Sequence, residues 1–381
     1  MTTAEQTVPS HSAVKDSHAA RRSHPLVLLW LVYAACVWLI SAYVATEALS
    51  HRVPAPPIAA TAPLSAWDGS NYNEIALHGY SAASDAARRF AFFPLLPALA
   101  RLLGGSGHAP LAGILLSQLL LLGSMLLLRE WRASGDEGLR AEPGFWLLVA
   151  PLAFFHAVFY AESLFLFLLL AGLVLHRRGR NAYAIAALFL AGLARPTAIL
   201  IPALFIPAVL KPDTRRTALL LAAAPLAGIA AYVLYVAGLT GSLFGYSRLQ
   251  AELWHHGWTI PFLPAILELT RATALALDGM LPPRDLLIRP LVLIGIVTVL
   301  AAGWRRLEPG LRVFAVVSLL FVHSQVPSLS SARYDLAIFP AYIALARTPL
   351  ARTRSGVILA VAFVIMQLVF MLDFMVWRWA G

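Results

Sequence analysis

The chain has 381 residues, of which 60% are hydrophobic and 13% are charged, whereas soluble domains have roughly 45–50% and about 25%. A chain of this length cannot bury so much apolar surface in a soluble core, because the surface fraction that folding buries is limited by size. The formal net charge is +10, but the basic residues form short groups between apolar runs and not one continuous basic face. This pattern argues against nucleic-acid binding and predicts a protein whose solvent is the lipid bilayer.

The polar residues 1–24 predict a cytoplasmic N-terminal tail, because Arg21 and Arg22 directly precede a long apolar run. The run from Pro25 to about Leu49 exceeds the roughly 7–15 apolar residues of a signal peptide. We therefore predict a retained first span. Cys36, the single cysteine, lies in this span, so the chain can form neither an intramolecular disulfide nor a thiolate metal cluster.

The other apolar runs predict further spans, several of them shorter than the roughly 17–25 residues of a spanning helix. The predicted spans are 25–47, 109–128, 144–159, 161–176, 182–195, 197–210, 217–239, 286–303, 311–324, 334–347 and 356–376. The pair at 182–210 could instead be one helix that is kinked at Pro196, since proline removes a backbone donor and bends a helix.

The distribution of basic residues distinguishes these two interpretations. If 182–210 crosses twice, 18 of the 29 basic residues fall in short segments on one side, as the positive-inside rule expects for the cytoplasm. Those segments contain Lys15/Arg21/Arg22, Arg129/Arg132/Arg140, Arg177/Arg178/Arg180, Lys211/Arg215/Arg216, Arg305/Arg306/Arg312 and Arg347/Arg352/Arg354. We therefore predict an all-α multi-pass protein of the cell (plasma) membrane with about eleven spans, its N-terminus cytoplasmic and its C-terminus outside.

The predicted topology makes residues 25–381 a single transmembrane domain with two long outer loops. The first, 48–108, has a Pro-rich start (Pro54, Pro56, Pro57, Pro63), a polar turn and an amphipathic stretch from Arg88 to Leu103. The second, 240–285, contains His255 and His256 between two tryptophans. Both loops are rich in Trp, Phe and Arg, which is typical of helices that lie at a membrane interface.

The densest polar signal lies in the first outer loop, where Trp67 to Tyr80 read WDGSNYNEIALHGY and Phe90 to Pro97 read FAFFPLLP. Asp68 begins a helix-like run there, so it could be a helix N-cap, a catalytic group or both. Three later polar segments, 159–165 (FYAESLF), 194–197 (ARPT) and 330–334 (SSARY), followed by Phe339-Pro340, all fall on the outer side of the predicted topology.

These blocks, in this order, resemble the signature of the GPI mannosyltransferase II family and its prokaryotic relatives, in the GT-C superfamily of multi-span glycosyltransferases. Asn71 stands where eukaryotic members commonly have His, so a role for that His does not carry over. The resemblance implies a GT-C-type helical bundle that transfers a sugar, usually mannose, from polyprenyl phosphate to an acceptor hydroxyl on the non-cytoplasmic face, with inversion.

The resemblance assigns Asp68 as the catalytic base, since a carboxylate beside the acceptor hydroxyl can remove its proton during attack. Arg195 and Arg333 are the candidates for holding the donor phosphate, because arginine is always charged and can bond two phosphate oxygens at once. Either arginine could instead snorkel at the interface. The full set of predicted substrate-binding residues is Trp67, Asn71, Tyr80, Tyr160, Glu162, Arg195, His255, Arg333 and Tyr334.

Other polar residues allow two interpretations. Glu162 could cap the N-terminus of a span or bind sugar hydroxyls, and Arg88 and Arg89 are weaker phosphate candidates. His255 and His256 are adjacent and lack further ligands at a metal-binding spacing. We therefore predict no metal and no cofactor, since one phosphate needs less counter-charge than a nucleotide diphosphate.

Two alternatives to a mannosyltransferase remain. The same enzyme class could use another sugar, such as arabinose or glucose. A flippase or transporter of lipid-linked sugars is the alternative from another class, although such proteins commonly carry internal repeats and charges near the membrane midplane, which this sequence does not show. The sequence does not identify the acceptor, a glycolipid or another glycan, or the oligomeric state.

Overall fold

The structure is a computed structural model, and it describes residues 11–49, 61–83, 86–132 and 138–378. Almost all of these residues are helical. The α-helices are α1 (His11–Leu49), α2 (Asp68–His78), α3 (Leu95–Gly104), α4 (Ala109–Leu127), α5 (Pro143–Val149), α6 (Glu162–Arg177), α7 (Asn181–Ala194), α8 (Ile206–Val209), α9 (Pro212–Thr240), α10 (Gly245–Trp254), α11 (Leu263–Leu277), α12 (Asp285–Gly303), α13 (Pro309–Val322), α14 (Ser331–Tyr334), α15 (Pro340–Ala346) and α16 (Arg354–Met375).

Short 3₁₀ helices and one strand pair connect these elements. The 3₁₀ helices are Pro63–Ser65, Ala87–Ala91, Leu128–Trp131, Leu139–Ala141, Ala153–His156, Pro196–Phe205, Trp304–Arg306, Ser328–Ser330, Asp335–Ala337 and Pro349–Arg352. Strands β1 (Gly257–Trp258) and β2 (Gln325–Val326) pair antiparallel. This pair joins the segment 240–285, the predicted second outer loop, to the chain that leads into α14.

Five helices in the described ranges are long and apolar enough to cross a membrane: Pro25–Glu47, Ala109–Trp131, Pro212–Thr240, Leu286–Arg306 and Arg354–Met375. They confirm the prediction of an all-α, multi-pass membrane protein. The count of about eleven spans stays a prediction. Residues 11–24 of the predicted tail continue α1 as helix, whereas residues 1–10 and Pro54, Pro56 and Pro57 lie outside the described residues.

Two of the predicted spans are not continuous helices. In 144–159, α5 ends at Val149 because Ala150 is extended (φ −56°, ψ 145°), the conformation that the following Pro151 favours. In 334–347, the chain passes from α14 through a 3₁₀ turn, and Pro340 begins α15, where its missing N–H costs nothing. Both interruptions lie beside the polar residues of the candidate site.

The segment 182–210 is also interrupted, at Arg195, and contacts on either side of this residue show where the two halves lie. Arg195 is extended (φ −156°, ψ 149°) between α7 and the following 3₁₀ helix. Arg177, just before α7, pairs with Glu308, and a Cβ on Gly310 would lie 2.3 Å from the Leu204 carbonyl oxygen. The chain on both sides of Arg195 therefore returns to the start of α13. That the segment crosses the membrane twice stays a prediction.

Basic groups that the sequence assigns to one side lie together in the structure. Arg178 pairs with Glu130, and Arg347 donates to the carbonyl oxygens of Trp131 and Arg306 at 2.9 and 2.6 Å. We call this region, with Arg177 and Glu308, the arginine-rich end. It lies one length of α6, about 24 Å, from Glu162 at the other end of that helix. That the arginine-rich end is cytoplasmic stays a prediction.

Close helix packing positions the residues of the site. A Cβ on Gly192 in α7 would lie 2.2 Å from the Pro225 carbonyl oxygen in α9, and one on Gly228 would lie 2.2 Å from the Phe189 carbonyl oxygen. Small residues at such crossings let membrane helices approach closely. The contact fixes α7 and thereby the position of Arg195, which follows its last residue.

Candidate active site

Asp68 is the first residue of α2, but it does not cap that helix. The N-cap is Trp67, and no side chain makes a capping hydrogen bond there. Trp67 has φ 56° and ψ −118°, a region that non-glycine residues occupy only where surrounding structure imposes it. The N-cap interpretation of Asp68 is therefore wrong, and the strained turn instead directs its carboxylate to a partner far along the chain.

That partner is Arg333. Its Nη1 donates to Asp68 Oδ2 over 2.6 Å, joining residues 265 positions apart. The Arg333 side chain is 6% exposed and the Asp68 side chain 19%, so the bond is largely shielded from solvent. Charge-assisted bonds of this kind are roughly twice as strong as neutral ones.

Glu162 extends the contact to a second arginine. Its Oε1 lies 3.5 Å from Arg333 Nε and also pairs with Arg195 Nη1. Glu162 is 5% exposed and stands in the first turn of α6, where a carboxylate interacts favourably with the helix dipole. We call Asp68, Glu162, Arg195 and Arg333 the charge quartet: two carboxylates and two guanidinium groups.

Aromatic rings cover the two arginines of the quartet. The Arg333 guanidinium carbon lies 5.5, 5.3 and 5.3 Å from the ring centres of Phe155, Tyr160 and Tyr334, and Arg195 lies 5.4 Å from Tyr334. Cation–π contacts within about 6 Å are attractive, and more so away from water. The rings therefore hold both cations without neutralising them.

Tyr160 also orients the start of α2. Its hydroxyl accepts a hydrogen bond from the Asp68 N–H at 3.0 Å and donates to the Ala66 carbonyl oxygen at 3.4 Å. Tyr72, one turn further along α2, packs against Tyr160. Burial raises the pKa of Tyr72 well above its usual value, so its phenol stays neutral beside the quartet.

The sequence did not point to His156, a buried residue beside the quartet. His156, Glu162, Arg195 and Thr197 are among the residues around a cavity of about 10 Å³. Both ring nitrogens of His156 and the Thr197 hydroxyl lack a hydrogen-bond partner in the described part of the chain. His156 was missed because it interrupts an apolar run that predicts a span, although a histidine in such a run is itself a signal of a polar site.

The structure brings together six of the predicted residues: Asp68, Tyr160, Glu162, Arg195, Arg333 and Tyr334. Trp67 adjoins them through the backbone, and its ring contacts Trp377 at 5.5 Å. Asn71 is partly buried one turn after Asp68 on α2, and within the described residues its side chain makes no hydrogen bond to the quartet.

Two predicted substrate-binding residues lie away from the quartet. Tyr80 stacks on Phe90 and donates to the Phe92 carbonyl oxygen at 2.6 Å, so its hydroxyl is already used in an aromatic cluster. His255 is exposed and occupies the left-handed C-cap of α10 (φ 54°). Neither position gives support for substrate binding.

The weaker arginine candidates also have other partners. Arg89 pairs with Glu74 at 3.1 Å, and the Arg88 guanidinium lies over the ring of Trp254 at 5.4 Å. These contacts attach the 3₁₀ helix Ala87–Ala91 to α2 and α10. Of the four arginine candidates, Arg333 pairs with Asp68 and Arg195 pairs with Glu162.

Across the described ranges, no group of three or more His, Cys, Asp or Glu side chains is arranged to hold a metal ion. Metal independence stays a prediction. The groups present can perform two operations without a metal: Asp68 can accept a proton, and the two guanidinium groups can bind an anion next to it.

Comparisons with known proteins add little to this description. No protein-family model matches the chain, and no curated protein matches it. A crystal structure of ArnT from Cupriavidus metallidurans in the apo state resembles it with 19% sequence identity and a TM-score of 0.43, covering 92% of this chain and 72% of that one. The likeness is distant, and the chemistry of the site follows from this chain's own residues instead.

Proposed function

We propose that this protein is an inverting glycosyltransferase of the GT-C type that moves mannose from polyprenyl-phosphate mannose to an acceptor hydroxyl on the non-cytoplasmic face. The observation that carries the proposal is the 2.6 Å bond between Asp68 and Arg333. This bond joins a carboxylate to a guanidinium, and the proposed transfer needs one group of each kind at one point, for proton removal and for phosphate binding.

Asp68 would act as the general base. It takes the proton of the acceptor hydroxyl while that oxygen attacks the anomeric carbon, a contribution of about 10²–10⁴-fold. The bond from the anomeric carbon to the phosphate oxygen breaks, and its electron pair leaves with polyprenyl phosphate. Attack opposite the leaving group inverts the anomeric configuration. The leaving group is already a stable anion, so no carboxylic acid of the glycosidase kind is needed.

Arg333 and Arg195 would bind the donor phosphate. Arg333 now donates to Asp68 Oδ2, so this oxygen is occupied and not free to accept the proton of an acceptor hydroxyl. A phosphodiester that draws Arg333 toward itself would release Asp68, so that the base becomes active only when the donor is in place. This order would protect the donor from premature reaction.

The size of the cavity supports such a rearrangement. At about 10 Å³, it has room for about one water molecule and not for a sugar phosphate. Entry of the donor therefore requires the Arg195 and Arg333 side chains to move from Glu162 and Asp68.

The choice of mannose rests on the sequence resemblance, and the acceptor is a glycolipid or another glycan. The experiment uses the purified full chain in proteoliposomes with labelled polyprenyl-phosphate mannose and a lipid extract from cells that lack the gene. We expect labelled glycolipid from the unsubstituted protein and about 100-fold less, or lower, from Asp68→Asn.

Asp373→Asn is the matched control, because Asp373 is also a partly buried carboxylate paired with an arginine, Arg284. It should retain transfer. Native transfer by Asp68→Asn would disprove the base assignment. Transfer only from an arabinose or glucose donor would change the sugar and keep the class. Movement of the labelled lipid across the bilayer without transfer would favour the flippase alternative.

A further inference from the structure

An apolar groove separates α12 from α13 at the arginine-rich end, far from the charge quartet. Its volume is about 790 Å³, and its lining includes Val297, Leu300, Ala301, Val316 and Leu319. Val297 and Val316 are each 43% exposed, while Leu300 and Leu319 are 3% and 9% exposed. The groove therefore has a buried apolar floor and walls that open toward the membrane.

The neighbours of α12 and α13 hold the two helices apart. A Cβ on Gly303, at the end of α12, would lie 2.5 Å from the Ala344 Cβ in α15, so α12 rests directly on α15. Gly310, at the start of α13, makes a similarly close approach to the Leu204 carbonyl oxygen. Because each helix is fixed to a different neighbour, the groove is part of the packed fold.

The groove ends at a short basic turn, Trp304–Arg306, that joins the two helices. The backbone of this turn is fixed, since Arg312 donates to the Arg305 carbonyl oxygen at 3.1 Å and Arg347 donates to that of Arg306 at 2.6 Å. The Arg305 and Arg306 side chains are exposed. The nearby carboxylate of Glu308 is already paired with Arg177, so it does not neutralise them.

We propose that this groove binds an anionic phospholipid, with an acyl chain along the apolar floor and the phosphate at Arg305 and Arg306. An apolar channel within a membrane span that ends at two exposed cations matches a lipid that has a negative headgroup. Basic sites between helices on the cytoplasmic side bind anionic headgroups in this way, and Trp304 suits the interface. The groove is independent of the proposed catalytic function.

Native mass spectrometry of the purified full chain tests the proposal, by titration with phosphatidylglycerol and with phosphatidylcholine of the same acyl chains. We expect preferential retention of phosphatidylglycerol. Each arginine near the surface contributes about fivefold, so Arg305→Gln/Arg306→Gln should weaken that binding by at least about tenfold. Ala301→Trp, which fills the groove and keeps both arginines, should weaken the binding of either lipid.

Arg215→Gln/Arg216→Gln is the matched control, because it removes two exposed arginines at the start of α9, which does not line this groove. It should leave the preference unchanged. Equal binding of the two lipids, or equal loss in the control, would overturn the proposal. So would displacement of phosphatidylglycerol by an equal concentration of polyprenyl phosphate, which would assign the groove to the carrier lipid. Thermal unfolding of each variant checks that it is folded.

Discussion

The two ends of the helical bundle use the same residue types, arginine with aspartate or glutamate, in opposite ways. In the charge quartet, the Glu162 and Arg333 side chains are 5% and 6% exposed, and two carboxylates balance two guanidinium groups. At the arginine-rich end, Arg178 and Glu130 have side chains that are 61% and 38% exposed, and arginines outnumber acids. Exposed ion pairs contribute little to stability. Buried ion pairs carry a large desolvation penalty, which can exceed the attraction between the two charges. The difference supports the proposal that the quartet serves the transfer reaction.

Removing Arg333 should give the largest effect. Arg333→Gln removes one of the two positive charges that balance the buried carboxylates of Asp68 and Glu162, which lowers the free energy of unfolding by about 3–5 kcal/mol. It also removes a proposed ligand of the donor phosphate. We expect a marked loss of thermal stability in detergent together with loss of mannosyl transfer.

Arg333→Lys separates these two effects. It keeps the charge and therefore much of the stability, but it loses the forked geometry that binds phosphate. Native transfer by the lysine variant would contradict the assignment of Arg333 to the donor phosphate.

Glu162→Gln should shift the balance between substrate affinity and turnover. Removing this carboxylate frees Arg195 and Arg333 from a competitor, so we expect tighter donor binding by at least about 1 kcal/mol, or fivefold. Turnover should fall, because the product polyprenyl phosphate carries the same phosphate and is then released more slowly. Steady-state kinetics with varied donor would show a lower KM and a lower kcat. Unchanged values of both would mean that Glu162 does not hold the arginines against the phosphate.

Tyr160→Phe should have a smaller effect. It removes the hydroxyl that accepts the Asp68 N–H and keeps the ring beside Arg333, so we expect a loss of about 1 kcal/mol in stability and a modest decrease in kcat. Thermal unfolding and transfer assays measure both. A loss as large as that of Asp68→Asn would instead give Tyr160 a direct role in the reaction.

The smallest effect should come from the exposed pair at the arginine-rich end. Arg178→Gln breaks its contact with Glu130, and exposed pairs contribute about 0–1 kcal/mol. Thermal unfolding should shift little, and transfer should not change. A large loss of stability would mean that the two ends do not differ as their exposure indicates.

The long helices could be predicted from sequence because apolar runs near 20 residues have few alternatives in a bilayer. The interruptions at Pro151 and before Pro340 were not predicted. Such short apolar runs can form one continuous helix or two short helices joined by a 3₁₀ turn, and apolarity alone does not distinguish these two structures. Local preferences next to proline decide between them.

The site was predicted residue by residue but not as an arrangement. The sequence indicated four polar residues in the blocks that resemble the family signature: Asp68, Glu162, Arg195 and Arg333. No local sequence pattern, however, could predict that Asp68 and Arg333, which are 265 positions apart, form a pair. His156 was hidden in an apolar run. His255 stood out in the sequence, but it is an exposed helix C-cap. A sequence pattern around one residue does not show which helices pack against that residue.

The separation of Asp68 from Arg333 also has a consequence for biosynthesis. A ribosome that adds about 5–20 residues per second needs roughly 15–50 s to cover the intervening chain. Throughout that interval the growing polypeptide contains Asp68 but not yet Arg333, its later hydrogen-bond donor. The quartet can form only after the chain through Arg333 has been inserted, so unfinished or prematurely terminated polypeptides would lie in the bilayer without the paired site that the proposed transfer requires.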